Sequence, residues 1–92
     1  MNDRNFPYLA NFLETWFNAS YDFSELEDVI NTMKRLEAWE NLDLLRNEVN
    51  ALGDTPLVLF NEFSDAHGGR EFTAPRYAHF KELFRDVIIE DS

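Results

Sequence analysis

The chain has no cysteine. That excludes disulfide staples and cysteine-ligated zinc, and it fits a reducing compartment. Basic side chains are few: eight Lys and Arg stand against eighteen Asp and Glu, for a net charge of −10. A surface so acidic repels nucleic acid and anionic membranes, and it attracts a basic partner. No apolar run reaches the length needed to cross a bilayer, about 18 residues. The opening Met1-Asn2-Asp3-Arg4 lacks the basic start and apolar core of a signal peptide, so the expected location is cytoplasmic. No repeat, low-complexity segment or linker divides the 92 residues. Residues 1–92 are therefore read as one domain, whose folding buries roughly 60–65% of the unfolded surface.

What the sequence does have is apolar and aromatic content, including nine Phe. A disordered chain is poor in such residues. Pro7 is followed by Leu9, Phe12, Leu13, Trp16 and Phe17 at spacings of three and four, which predicts an amphipathic helix over residues 6–18. Trp16 and Phe17 are expected in the core. Residues 18–23 read as a loop. Ser24 then serves as N-cap, with Glu27 completing a capping box. The second helix is expected to bury Leu26, Val29, Ile30, Met33 and Leu36.

No Pro or Gly marks a stop at Glu37-Ala38-Trp39-Glu40, so that stretch is either a short break or continuous helix. The third helix is expected to bury Ala38, Leu42, Leu45, Val49 and Leu52 and to end at Gly53. Leu44 falls nearly opposite Leu42. It therefore packs on another helix or belongs to a binding face. Thr55 and Pro56 read as N-cap and first helical residue. Leu57-Val58-Leu59-Phe60 suits a short helix, with a strand as the alternative. Residues 64–75, with Gly68-Gly69, read as a loop. A last helix from near Pro75 stacks Tyr77, Phe80, Leu83, Phe84, Val87 and Ile88 on one side. The fold class is all-α: four to five short helices around one aromatic-rich core.

Catalytic signals are missing. Gly68-Gly69 is a lone pair and reads as a turn rather than a phosphate loop. The Ser and His residues show no catalytic spacing. His67 lies in the expected loop and His79 on the last helix, where it could be partly buried. His79 and Glu82 stand three apart, but a metal site needs a third ligand. Eighteen carboxylates make any single pair uninformative, and a domain this small has little interior in which to raise a carboxyl pKa. No catalytic residue, metal or cofactor is expected.

The placement of acid is informative. Between Arg4 and Lys34 there is no base, while Glu14, Asp22, Glu25, Glu27 and Asp28 all fall in that span. Acids at a helix start are stabilised by the helix dipole, which accounts for one or two of them. Asp22, Glu25 and Asp28 together point further, to a binding surface. Tyr21 beside them is a suitable aromatic anchor. Glu37, Glu40 and Asp43 form a second group at spacings of three. They are either a solvated face with pairs to Arg35 and Arg46 or a continuation of the first patch.

Phe6-Pro7-Tyr8-Leu9, Phe12-Leu13 and Trp16-Phe17-Asn18, then Tyr21-Asp22 and a helix carrying Glu25, Asp28, Val29 and Ile30, form a pattern. It resembles the small helical immunity proteins of bacterial contact-dependent growth inhibition systems. The match covers roughly the first fifty residues, and the remainder agrees in length and pattern. At Asn18-Ala19-Ser20 the chain departs from the His-Gln-Asp often found in that family. The resemblance implies a non-enzymatic inhibitor that binds one cognate toxin 1:1, commonly a nuclease with a basic substrate groove. No direct contact with nucleic acid or membrane is implied.

On that reading Tyr21, Asp22, Glu25 and Asp28 meet Lys and Arg of the toxin, and Glu40 and Asp43 are rim charges. Residues 64–75, with His67, Arg70 and Phe72, are the fallback surface. The alternative is an acidic adaptor that binds a basic host protein. An oligomerisation module using Leu44 and Val87-Ile88-Ile89 is a further one.

Overall fold

Proline at the start of an apolar stripe does begin a helix, but the helix changes register after five residues. The structure, a computed structural model describing residues 4–89, has α1 at Pro7–Asn11, continued by a π-turn at Phe12–Trp16. A 3-10 turn at Phe23–Glu25 leads into α2 at Leu26–Leu36. Then come α3 at Trp39–Leu52, α4 at Leu57–Gly68 and α5 at Ala74–Ile89. No strand is present among the described residues. The fold is all-α, and Leu57-Val58-Leu59-Phe60 opens a helix rather than forming a strand.

The π-turn corrects the expectation of one continuous helix over residues 6–18, and its cause is packing. In an α-helix residues five apart lie about 140° apart around the axis. The wider π-turn, closed by Phe17 N–H to Phe12 O at 2.8 Å, brings Phe17 back beneath Phe12. Both rings are fully buried, with centroids 6.3 Å apart. Trp16 is displaced to the side and is only partly buried, packing against the core edge.

Phenylalanine builds the interior. Phe12, Phe17, Phe60, Phe63, Phe72, Phe80 and Phe84 are buried, and Phe6 and Phe23 pack against them. Edge-to-face pairs join separate elements: Phe12 with Phe84 at 5.3 Å, Phe60 with Phe72 at 5.0 Å, and Phe23 with Phe72 at 4.9 Å. Such pairs add about 0.5–1.5 kcal/mol each beyond burial. In this arrangement α5 lies along α3, and α1 packs on both α3 and α4. A Cα radius of gyration of 12.0 Å agrees with the roughly 12 Å of a compact chain this long.

Side chains from distant elements finish the helix ends. Glu48 on α3 accepts the N–H of Leu9 at 2.9 Å and of Tyr8 at 3.2 Å, capping α1 from forty residues away. Asn61 on α4 donates to Phe72 O at 2.9 Å and accepts from Phe72 N–H at 2.7 Å, fixing the segment between α4 and α5. Tyr77 donates to Thr55 O at 2.9 Å, which ties α5 to the corner between α3 and α4. Burial there raises the pKa of the Tyr77 phenol.

Several expected boundaries move. The chain does break after α2: Glu37 and Ala38 are both extended. Leaving the helix at that point turns Leu36 outward, 72% exposed, and puts Ala38 at an exposed N-cap, so neither belongs to the core. Pro56, not Thr55, is the N-cap of α4. Residues 64–68 are helical rather than loop, because only Gly69 takes the left-handed conformation, φ 69°, that ends α4. Gly68 is a glycine for a different reason. A Cβ there would stand 2.8 Å from Leu13 O, so the π-turn fits only against a glycine. Leu44 is exposed, at 42%. The expected stacking of Val87 and Ile88, and the reading of Met1-Asn2-Asp3, lie outside the described side chains.

Candidate functional site

The segment joining α1 to α2 carries the acids, and its shape is set from within and from α4. Asn18 makes a turn on itself: its Oδ1 accepts Ser20 N–H at 2.9 Å, and its carbonyl accepts Tyr21 N–H at 3.0 Å. Ala19 N–H donates to Gly68 O at 2.9 Å. Arg70, 9% exposed, reaches in from the segment after α4. Its Nη2 donates to Asn18 O at 2.6 Å and also to Tyr21 O. The guanidinium carbon lies 4.0 Å from the Phe17 ring centroid and 4.6 Å from that of Phe23. One buried cation therefore clamps both ends of the turn that presents Tyr21. Burial lowers the Arg70 pKa, while the negative charge of Asp22 opposes that shift.

Asp22 begins the helical run. Its N–H donates to Glu25 Oε2 at 2.8 Å, and Ser24 Oγ donates to its Oδ2 at 2.7 Å. The capping box is thus Asp22 with Glu25, not Ser24 with Glu27. The 3-10 turn at Phe23–Glu25 starts the helical run two residues earlier than the Ser24 reading placed it. The Ser24 hydroxyl, with help from the Phe23 and Ser24 backbone N–H groups and Arg76, holds the Asp22 pKa below its ordinary value, although partial desolvation opposes this. Phe23, just before Ser24, faces the core. It packs on Phe17 and Phe72, with Arg76 4.3 Å from its centroid.

Beyond the cap lies an open groove of about 220 Å³, lined by Trp16, Tyr21, Glu25, Asp28, Val29 and Thr32. Three of the expected binding residues, Tyr21, Glu25 and Asp28, meet here. Asp22 stands one residue from Tyr21 but does not line the groove. Glu40 and Asp43 are on the start of α3 and do not line it either. Asp43 is paired within its helix to Arg46 at 3.4 Å. The second acidic group is thus not part of this groove.

Two contributors differ from what the sequence predicts. Trp16, expected in the core, is only partly buried and lines the groove. Arg70 appeared as part of a fallback surface, yet it is buried and holds the first surface in place. A lone Arg between Gly69 and Phe72 in an aromatic-rich chain was the available signal.

His67 sits on α4 rather than in a loop. Its Nδ1 is 2.7 Å from Glu14 Oε1, and its ring centroid is 4.6 Å from that of Phe63. His79 is exposed. Among the described residues no group of three or more His, Asp or Glu is placed to hold a metal ion, and no helix is long and apolar enough to cross a membrane.

Compared with models of protein families, with curated proteins and with solved structures, the chain gives no significant match.

Proposed function

We propose that this protein is an immunity protein of the contact-dependent growth inhibition type, which binds and neutralises one basic toxin, a nuclease, at 1:1 stoichiometry. The observation that carries the reading is the meeting of Tyr21, Glu25 and Asp28 with Trp16 around one groove, on a segment clamped by Arg70. A nuclease binds phosphates with Lys and Arg. Carboxylates held on a rigid edge compete for the same cations, and complementary charge speeds encounter and selects the partner. Aromatic side chains beside them supply the desolvated contact that slows dissociation.

Rigidity matters to this mechanism. A segment already ordered by Arg70 and by the Asp22–Glu25 cap loses little conformational freedom on binding. Asp22 serves mainly as part of that frame, and Glu25 serves both the frame and the groove.

The test is co-purification of the tagged protein from the cells that encode it. The proposal expects one basic polypeptide in equal amount, with nuclease activity that is silent in the complex and appears on separation. Recovery of a basic regulator without nuclease activity would favour the adaptor reading.

A further inference from the structure

The walls of the groove specify more than a basic partner. Trp16, Tyr21 and Val29 give it apolar sides, and among the described lining residues the charges are those of Glu25 and Asp28. Thr32 adds a hydroxyl at the far end, where Oγ1 accepts from Arg35 Nη2 at 3.5 Å. A second copy of this chain is a poor occupant, since it would bring net charge −10 against −10. A neutral apolar side chain would leave two carboxylates facing it as their water is displaced, which is costly.

We propose that the groove is a receptor for a single arginine side chain of the partner, its guanidinium against Trp16 and Tyr21 and its N–H groups on Glu25 and Asp28. Guanidinium fits this lining better than ammonium. It is planar, stacks on aromatic faces, is weakly hydrated, and presents a fork of donors matched to carboxylates. The protein already uses the same pairing internally, where Arg70 lies on Phe17 and Phe23 and Arg76 on Phe23. The assignment rests on the toxin-binding reading for its biological occupant but not for its chemistry.

The test is a titration of the full chain, followed by amide and indole N–H resonances, with three capped tripeptides: Gly-Arg-Gly, Gly-Lys-Gly and Gly-citrulline-Gly. The arginine peptide is expected to produce saturable shifts at Trp16, Tyr21, Asp28 and Thr32. The lysine peptide should bind more weakly, and the uncharged citrulline peptide should leave these signals in place. Asp28→Asn, which leaves the capping box intact, should raise the arginine-peptide Kd by about tenfold with the spectrum otherwise unchanged, and Glu25→Gln should act in the same direction.

Absence of saturable shifts, equal binding of citrulline, or shifts confined to another face would overturn the proposal. The two readings fail separately. A nuclease complex formed without any arginine-peptide site would sink this inference alone. Arginine binding in a protein that retains no toxin would sink the functional reading alone.

Discussion

The guanidinium carbon of Arg70 lies 4.0 Å from the centre of the Phe17 ring, while its Nη2 holds the carbonyls of Asn18 and Tyr21. One side chain thereby joins the aromatic interior to the segment that presents Tyr21. Arg70→Leu keeps apolar bulk but removes the donor that holds the Tyr21 carbonyl and leaves the Asn18 carbonyl with Tyr21 N–H alone. The expected loss is about 1–3 kcal/mol in urea unfolding, with weaker partner binding beyond what the stability change explains. Arg70→Lys should rescue it only in part, because one nitrogen can still serve both carbonyls but an ammonium does not lie flat on the Phe17 ring.

Gly68 and Gly69 should respond to substitution for different reasons. Gly68→Ala drives a Cβ to 2.8 Å from a backbone oxygen of the π-turn and is expected to cost about 1–3 kcal/mol. Gly69 meets nothing closer than Ala19 Cβ at 3.8 Å, and its difficulty is φ 69°. Asn tolerates that conformation better than Ala. Gly69→Asn should therefore be nearly neutral, and Gly69→Ala should cost about 1 kcal/mol, both read from denaturant midpoints.

Two carboxyls give opposite pH dependences. Burial raises the Glu48 pKa above 4.5, against the pull of the Leu9 and Tyr8 N–H groups. The folded state thus holds that proton more tightly. Its stabilising contribution is complete below the unfolded value and is lost as pH rises through the folded one. Glu48→Gln removes this dependence, so the stability of the variant relative to the native protein should rise between pH 4 and pH 7. Asp22 behaves in reverse. Its pKa is depressed below 3.8, so its contribution is present above that value and lost as pH falls through the folded one. The deficit of Asp22→Asn should shrink in acid. Thermal unfolding of both variants across pH checks the two signs.

The helical class, the buried stripes Leu26, Val29, Ile30 and Met33 of α2 and Tyr77, Phe80, Leu83 and Phe84 of α5, and the acid-rich junction are readable because each is a local pattern. Period, charge and N-terminal proline act within a few residues. What escaped depends on contacts far apart in the chain. The π-turn exists because Phe12 and Phe17 must both reach one core. The need for a glycine at position 68 depends on Leu13, and the capping of α1 depends on Glu48. The capping box lies two residues before Ser24 and Glu27, which match the same signature that Asp22 and Glu25 fill. Of the six expected binding residues, Tyr21, Glu25 and Asp28 line one groove, in the span that the sequence marks by its freedom from bases. Glu40 and Asp43 looked continuous with them only along the sequence, and the extended residues Glu37 and Ala38 interrupt that continuity.

The most direct measurement compares Asp28→Lys with Glu40→Lys, each titrated by calorimetry against the basic chain retained in co-purification. Both positions are exposed and neither takes part in the capping box, so both variants should stay folded. The account predicts that Asp28→Lys weakens binding by about tenfold or more, equivalent to 1.4 kcal/mol, while Glu40→Lys changes it little. Unchanged affinity for Asp28→Lys, or loss of binding with Glu40→Lys alone, would contradict it and move the interface off the groove.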